Sequence, residues 1–354
     1  MTTAIFLREQ AVDALASRLR RASGRSFSRA APTVDASITL ASGRRLRVAG
    51  VSEPVSPGLS FAFREQDRDA FTLPRLIAND TVPPAVAALL SGGRAERSGI
   101  GRRDPGCRKD DAVGALLFEL PGSVRTVIIE DTRELPIPQL QALDRDVQGL
   151  RTGTREGPEL TPTEALRTAL RLGDGALIIG EIRGREATVL YEAMRVGANA
   201  NAVLGTIHGD GALDVHERVT ADLDVPPSSF GATDLIVTVQ IHRDSGDVQR
   251  RVARVEEVFM RDGTVAFEPL FDLNADGIAT ATGRIDRGES HLLSTLTRPS
   301  ETYSAVRDRL ADRRAKLAEL ARDGLVRPMN GDSGGDSSPP RVAGPIGACR
   351  CEPE

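Results

Sequence analysis

Three short apolar runs in the middle of this 354-residue chain each stop at a polar cluster. Thr126–Ile129 runs into Glu130, Asp131 and Thr132. Ala176–Ile179 runs into Gly180, Glu181, Ile182, Arg183 and Gly184. Ala202–Ile207 runs into His208, Gly209 and Asp210. Two glutamates, a guanidinium and an imidazole suit phosphoryl transfer to water. Acids hold metal-bound water or orient the attacking water, and cations offset the charge that builds on the phosphoryl oxygens. Singly the residues say little, since a carboxylate after a strand is commonly a helix cap and a lone His208 is more often a satisfied structural histidine. Their arrangement carries the argument. As strands of one parallel sheet, the three runs would present Glu130, Glu181, Arg183 and His208 on one crest, and ligands of open parallel sheets bind at the carboxyl ends of the strands.

The remaining reactive residues form no centre of their own. His208 and His216 lack a third ligand in register, and Cys349 and Cys351 form a C-x-C that would need two more ligands. With Cys107 they make three cysteines, which is no disulfide framework in a chain of this length. His242 and His291 read as surface residues.

The elements around the crest can be read from periodicity. Residues 1–24 have helical spacing through Leu7, Val12, Leu15 and Leu19, followed by Gly24. VDASITL, RRLRVAGV and LSFAFRE, between Pro32 and Arg64, are strand-like runs separated by Ser/Gly/Pro turns. Phe71–Leu76 reads as a connector and Pro84–Leu90 as the start of a helix. Thr126–Ile129, Ala176–Ile179, Ala202–Ile207 and Leu235–Ile241 have the length and β-branched content of buried strands. Thr161-Pro162-Thr163-Glu164 is a capping box that opens a helix to about Leu172, ended by Gly173. Arg185–Val196 is a second helix, closed by Gly197. Strand–helix–strand repetition argues for an α/β fold with a mostly parallel sheet. Glu301–Arg322 reads as a charged helix that packs on the rest. The expected division is a small α+β domain over residues 1–74, a larger α/β domain over 75–325 and a Gly/Pro/Ser-rich disordered tail over 326–354.

Composition narrows the function class. The formal net charge of −4 and pI of about 5.8 argue against a protein that coats nucleic acid, so no nucleic-acid partner is expected. No apolar run approaches the roughly 18–20 residues of a membrane span, and the N-terminus lacks a secretory signal pattern. A cytoplasmic location is expected. Only Lys109 and Lys316 are lysines, against 46 Lys+Arg in all. That arginine bias fits a high-GC genome and suits a salt-adapted archaeon.

The three clusters resemble the signature boxes of type II/IV secretion ATPases. IEDTREL (Ile129–Leu135) looks like their Asp box, GALIIGEIRGREA (Gly175–Ala187) is similar to their Walker B, and GTIHGD (Gly205–Asp210) resembles their His box. SGRSFS, VDASITLASGRRLRV and TLPRLIAND look like the domain preceding the motor in archaeal members, so the resemblance spans roughly residues 7–325. It implies a RecA-like P-loop motor that uses ATP and Mg2+, with Glu181 activating water and touching Mg2+ through water. Glu130, His208 and Arg183 would complete the catalytic set. Gly106, Lys109 and Asp131 would bind nucleotide, with Arg45, Arg47 and Arg64 as phosphate contacts from the smaller domain. It further implies a homo-hexamer that works on a polytopic membrane platform protein of pilus or archaellum machinery, at the inner face of the cell membrane. Archaeal relatives carry a further N-terminal domain, which would make this chain truncated at its start.

One part of the pattern is missing. The phosphate loop G-x-x-x-x-G-K-[ST] should precede GALLFELP, where the chain instead reads GIGRRDPGCRKDDAV. Aligned on Lys109, Arg103 and Arg108 fall where glycines must let backbone N–H groups approach phosphate, and Asp110 falls on the Mg2+-binding hydroxyl. Codons that can encode residues 103–111, read one nucleotide later, permit GTRGAGKTT, a complete loop. Two compensating indels, near Ser91–Arg97 and Asp111–Val113, would produce the printed segment. Two alternatives therefore stand beside each other. One is an ATPase motor with its loop intact in nature. The other is a degenerate, non-hydrolysing family member acting as a structural or regulatory ring subunit. A RecA-like nucleic-acid translocase shares sheet and loop, but the acidic balance and the three boxes argue against it.

Overall fold

In the computed structural model of the protein the described residues are 9–24, 26–41, 45–66, 70–92, 97–102, 109–153, 160–173, 175–195, 202–244 and 247–324. The chain starts with a two-layer unit. Helix α1 (Glu9–Ser23) lies on an antiparallel sheet of β1 (Thr33–Thr39), β2 (Arg45–Val51) and β3 (Ser60–Gln66), in that order. Strand alternation decides what each face does. Val34, Ala36, Ile38 and Val48 point to Leu19 and Phe27 and form a dry core. Asp35 and Arg47, one residue out of step with those, share the opposite face, with Ser37 paired to Arg47 and Arg64 paired to Arg47 across β3.

Phe71–Leu76, read above as a connector, contains the start of a helix, α2 (Leu73–Ala78). Thr72 caps it by accepting from the Arg75 N–H at 3.4 Å, and Pro74 occupies the first turn, where its missing N–H is harmless. Its six residues are too few to show helical periodicity in the sequence. Helix α3 (Pro84–Gly92) follows, apolar on nearly every side, with Val86–Leu90 all buried.

Among the described residues the large sheet has nine strands. β4 (Arg97–Arg102), β5 (Thr126–Glu130), β6 (Val147–Arg151), β7 (Ala176–Ile179), β8 (Ala202–Thr206) and β9 (Leu235–Asp244) run parallel in the order β9-β4-β8-β7-β5-β6. Beyond β9, an antiparallel extension adds β10 (Asp247–Arg261), β11 (Thr264–Leu273) and β12 (Ala279–Ala281). The expected parallel strands are therefore present, whereas the long β10–β11 hairpin was not read from the sequence.

Connecting helices cover both faces, as parallel strands require. Ile128, Ile178 and Leu204 join one core with α2, α3, α4 (Lys109–Leu117), α10 (His291–Leu296) and α11 (Tyr303–Arg322). Val127, Ile129, Leu177, Ile179 and Val203 join the other, with α6 (Pro162–Ala169), α7 (Glu186–Arg195), α8 (Ala212–Glu217) and α9 (Pro227–Phe230). A short helix α5 (Ile137–Gln141) links β5 to β6. The capping box at α6 forms as expected: Thr161 Oγ1 accepts from the Glu164 N–H, and Glu164 accepts from the Thr161 N–H at 2.9 Å. The helix ends at Ala169, a few residues before the expected Leu172, and Gly173 sits in the following turn at φ +120°. His216 packs edge-on against Phe230 and Phe267 in this second core, which accounts for it as a packing residue. No helix among the described residues is long and apolar enough to cross a membrane. The expected tail lies outside the described residues.

Candidate active site

β8, β7 and β5 are neighbours in the sheet, so the residues that follow them stand side by side at their carboxyl ends. Glu181, the second residue after β7, is the centre. Its carboxylate lies 3.0 Å from His208 Nε2, at the end of β8, and its other oxygen accepts from the Arg183 guanidinium. Arg183 reaches back to Asp131, after β5, at 3.3 Å. A continuous relay, His208–Glu181–Arg183–Asp131, crosses three strand ends. Two opposite charges hold the Arg183 proton more tightly than usual: burial works against the charged form, but Glu181 and Asp131 outweigh it.

Backbone contacts fix this geometry. The Ile182 N–H donates to Thr206 O at 2.8 Å, and the Thr206 hydroxyl donates to Gly180 O, tying the strand ends of β7 and β8 together. Glu186, in the first turn of α7, accepts from the Arg183 and Gly184 N–H groups at 2.7 and 2.8 Å. An acidic side chain there also suits the positive end of a helix. It thereby shapes the loop that carries Glu181 and Arg183.

Glu130 lies deeper, against Gly180, where an added Cβ would stand 3.2 Å from its Cγ. Its Oε1 accepts two backbone N–H bonds from the turn that follows β5, from Glu134 at 2.9 Å and Leu135 at 2.8 Å. Its Oε2 is buried and has no protein partner. Burial pushes the carboxyl up to about 7, although the two amides pull it down and Glu134 and Asp131 push it further up. A carboxyl poised near neutrality is suited to take or give a proton.

The structure thus brings Glu130, Asp131, Glu181, Arg183 and His208 together. The relay opens on a cavity of about 450 Å³ whose walls include Asp131, Thr132, Glu181, Arg183 and Glu186. Asp35, from the small β-sheet, is also part of its wall. Arg64 is exposed on β3, opposite Arg47. Gly106 and the side chains of Lys109 and Arg45 lie outside the described residues. Sequence reasoning missed Glu134, Glu186 and Asp35. Only Glu186 left a local signal, as an acid in the first turn of a helix.

The donor set fits Mg2+ carried on nucleotide phosphates. Among the described residues no group of three or more His, Cys, Asp or Glu side chains forms a metal cage. Mg2+ at phosphate sites characteristically uses one or two carboxylates plus phosphate and water. The unpartnered Glu130 Oε2 and the acids at the strand ends supply that kind of environment.

The family described as "Type II/IV secretion system protein" matches residues 109–308, more than half of the chain. A putative conjugal transfer protein of Mycobacterium tuberculosis is 30% identical over 225 residues, which cover 61% of this chain and 61% of that protein. The chain thus spans about three fifths of the length of this relative. An uncharacterized protein of Methanocaldococcus jannaschii is 32% identical over 246 residues, 66% of this chain and 42% of its own. The type IV secretion system protein VirB11 of Bartonella quintana is 29% identical over 110 residues, 30% of this chain and 28% of its own. Among solved structures, the Legionella pneumophila ATPase DotB superposes with a TM-score of 0.56 at 13% identity, over 91% of this chain and 83% of its own, a likeness of fold. With the strand-end acids, the parallel sheet and the family match in hand, the chain belongs to the type II/IV secretion system protein family.

Proposed function

We propose that the chain is an ATP-hydrolysing motor that powers pilus or archaellum assembly, or protein export. The observation that carries the proposal is the Glu181 carboxylate, held between His208 and Arg183 at the carboxyl end of a central parallel strand. Glu181 is the base that orients and activates the attacking water. One oxygen accepts from Arg183 and the other lies 3.0 Å from His208 Nε2, and each keeps a lone pair on which a proton can be taken up. Arg183, whose side chain is 57% exposed, is the partner able to swing toward a phosphoryl group and offset its charge. His208 keeps the other oxygen oriented, and Glu130 serves as the second acid, next to Asp131. Bound Mg2+ would neutralise phosphate charge beside these acids. Gly106 and Lys109 belong to the segment that must cradle the phosphates, and Arg45 and Arg64 of the small β-sheet domain would be phosphate contacts. The working form is a homo-hexamer docked on a membrane platform protein at the cytoplasmic face, with the small domain over residues 1–74 and the motor over 75–325.

A second reading, a ring subunit that no longer hydrolyses ATP, is favoured by one observation: Arg103, Arg108 and Asp110 occupy the loop positions that need two glycines and a hydroxyl. Peptide mass spectrometry across residues 91–112 separates the two. Peptides reading GTRGAGKTT establish an intact loop, and peptides reading DPGCRKDD establish the degenerate chain. In a chain carrying the intact loop, Glu181→Gln abolishes turnover and leaves ATP binding largely unchanged. Equal turnover in variant and parent would refute the role given to Glu181.

A further inference from the structure

Among the described residues, Asp35 and Arg47 bring the small β-sheet domain to the site. Arg47, half-buried on the outward face of β2, donates to Glu134 at 2.5 Å and to both carboxylate oxygens of Asp35, at 3.0 and 3.3 Å. Burial works against its charge, but the two acids outweigh that and hold the proton firmly. Glu134 is no ordinary surface acid. Its own N–H, with that of Leu135, makes the two hydrogen bonds that fix Glu130 Oε1. The side chain of Glu134 therefore faces the small domain while its backbone faces the deepest carboxyl of the site. One residue lies in both contacts, and it belongs to a turn of five residues, 131–135, between β5 and Pro136.

We propose that Arg47 is a positioning residue: by clamping the Glu134 side chain it holds the 131–135 turn in the shape that presents two amides to Glu130. The placement of the small domain, and not nucleotide alone, then sets the geometry of the second acid. Asp35 has a different part in the clamp. It lies diagonally across from Arg47 on the same face of the small sheet and orients the guanidinium from behind. Moving the small domain away from the strand ends would withdraw Arg47 from Glu134 and free the turn. The small domain's position is in this way reported to Glu130 over two consecutive contacts. This inference rests on the proposed role of Glu130 for its catalytic meaning, while the clamp itself is tested without turnover.

The test is amide hydrogen exchange on the full chain without nucleotide, read at Glu134 and Leu135. Arg47→Ala and Glu134→Gln each speed exchange there by about tenfold or more, since a turn released from its anchor opens locally. The double variant exchanges no faster than either single one, and Arg47→Lys restores part of the protection. Glu134→Gln leaves the small domain untouched, so a folding defect in Arg47→Ala cannot imitate the result. The α6 amides, held by their own capping box, serve as the internal reference. Unchanged exchange at Glu134 and Leu135 in both single variants overturns the clamp. In a chain with the intact phosphate loop, Arg47→Ala also lowers kcat while leaving KM near that of the parent. Faster exchange with unchanged kcat would sink the role of Glu130 and leave the clamp standing.

Discussion

Replacing Glu130 by Gln should stabilise the protein, and do so more strongly as the pH rises. The carboxyl is buried and displaced from an ordinary 4.5 to about 7. In the folded chain its ionisation is therefore resisted, whereas in the unfolded chain it proceeds normally. Below pH 4.5 the group is protonated in both states and folding is unaffected by it. From there upward the folded state loses ground, and the loss is complete once the pH has passed the folded value. The gap between 4.5 and about 7 corresponds to about 3 kcal/mol, at roughly 1.4 kcal/mol per tenfold change in ionisation. A glutamine can still accept from the Glu134 and Leu135 amides but never ionises. Whatever constant difference the amide introduces cancels when two pH values are compared. The advantage of Glu130→Gln over the parent should thus grow by about 2 kcal/mol between pH 5.5 and pH 8. Urea unfolding of both proteins at the two pH values measures it, provided the slopes agree. An advantage that is the same at both would mean that the two amide hydrogen bonds hold Glu130 ionised near its ordinary range, and the argument from burial would be wrong.

Other substitutions probe separate parts of the frame. In Gly175→Ala the new Cβ would lie 2.1 Å from the Arg125 carbonyl oxygen, so β5 and β7 must part; a loss of about 3 kcal/mol or more is expected in denaturant unfolding. Glu257 is fully buried, accepts from the Ser290 hydroxyl at 2.8 Å and the Leu292 N–H at 3.0 Å, and lies 3.7 Å from Arg284. Glu257→Ala strands those groups and should cost about 3 kcal/mol, seen as a lower urea midpoint. His208→Ala removes one contact to the Glu181 carboxylate. A close polar contact of this kind contributes on the order of 1 kcal/mol, so kcat in a loop-intact chain should fall roughly fivefold, less than in Glu181→Gln. Parental turnover would make His208 a structural residue.

What could be read from the sequence follows from how locally each feature is encoded. The parallel strands stood out because strands covered on both faces are continuous apolar runs with β-branched residues, as in Val127–Ile129 and Ala176–Ile179. The polar residues ending those runs located Glu130, Glu181, Arg183 and His208 without any knowledge of strand order. The long strand β10 escaped notice because Arg250, Arg251, Arg254, Glu256 and Glu257 interrupt its apolar pattern. Glu257 is buried nonetheless, since Ser290 and Leu292, which donate to it, open helix α10 more than thirty residues later. The link from Arg47 to Glu134 joins residues 87 apart, and no periodicity encodes a contact of that kind. Helix α2 was lost to its brevity.

The docking of α11 has a consequence for how the chain is made. Val306, Leu310 and Leu317 of α11 cover α3, and Arg313 Nε donates to Ser91 Oγ at 3.1 Å across 222 positions of sequence. During synthesis at about 5–20 residues per second, the apolar surface of α3 therefore waits roughly 10–45 s for its cover. Throughout that interval Val86–Leu90 offer a sticky patch on a nascent chain that is otherwise free to form α1 and the small sheet. Helix α11 acts as the lock on the order of assembly: the small domain can mature before it, and the core around α3 closes only once α11 has been translated.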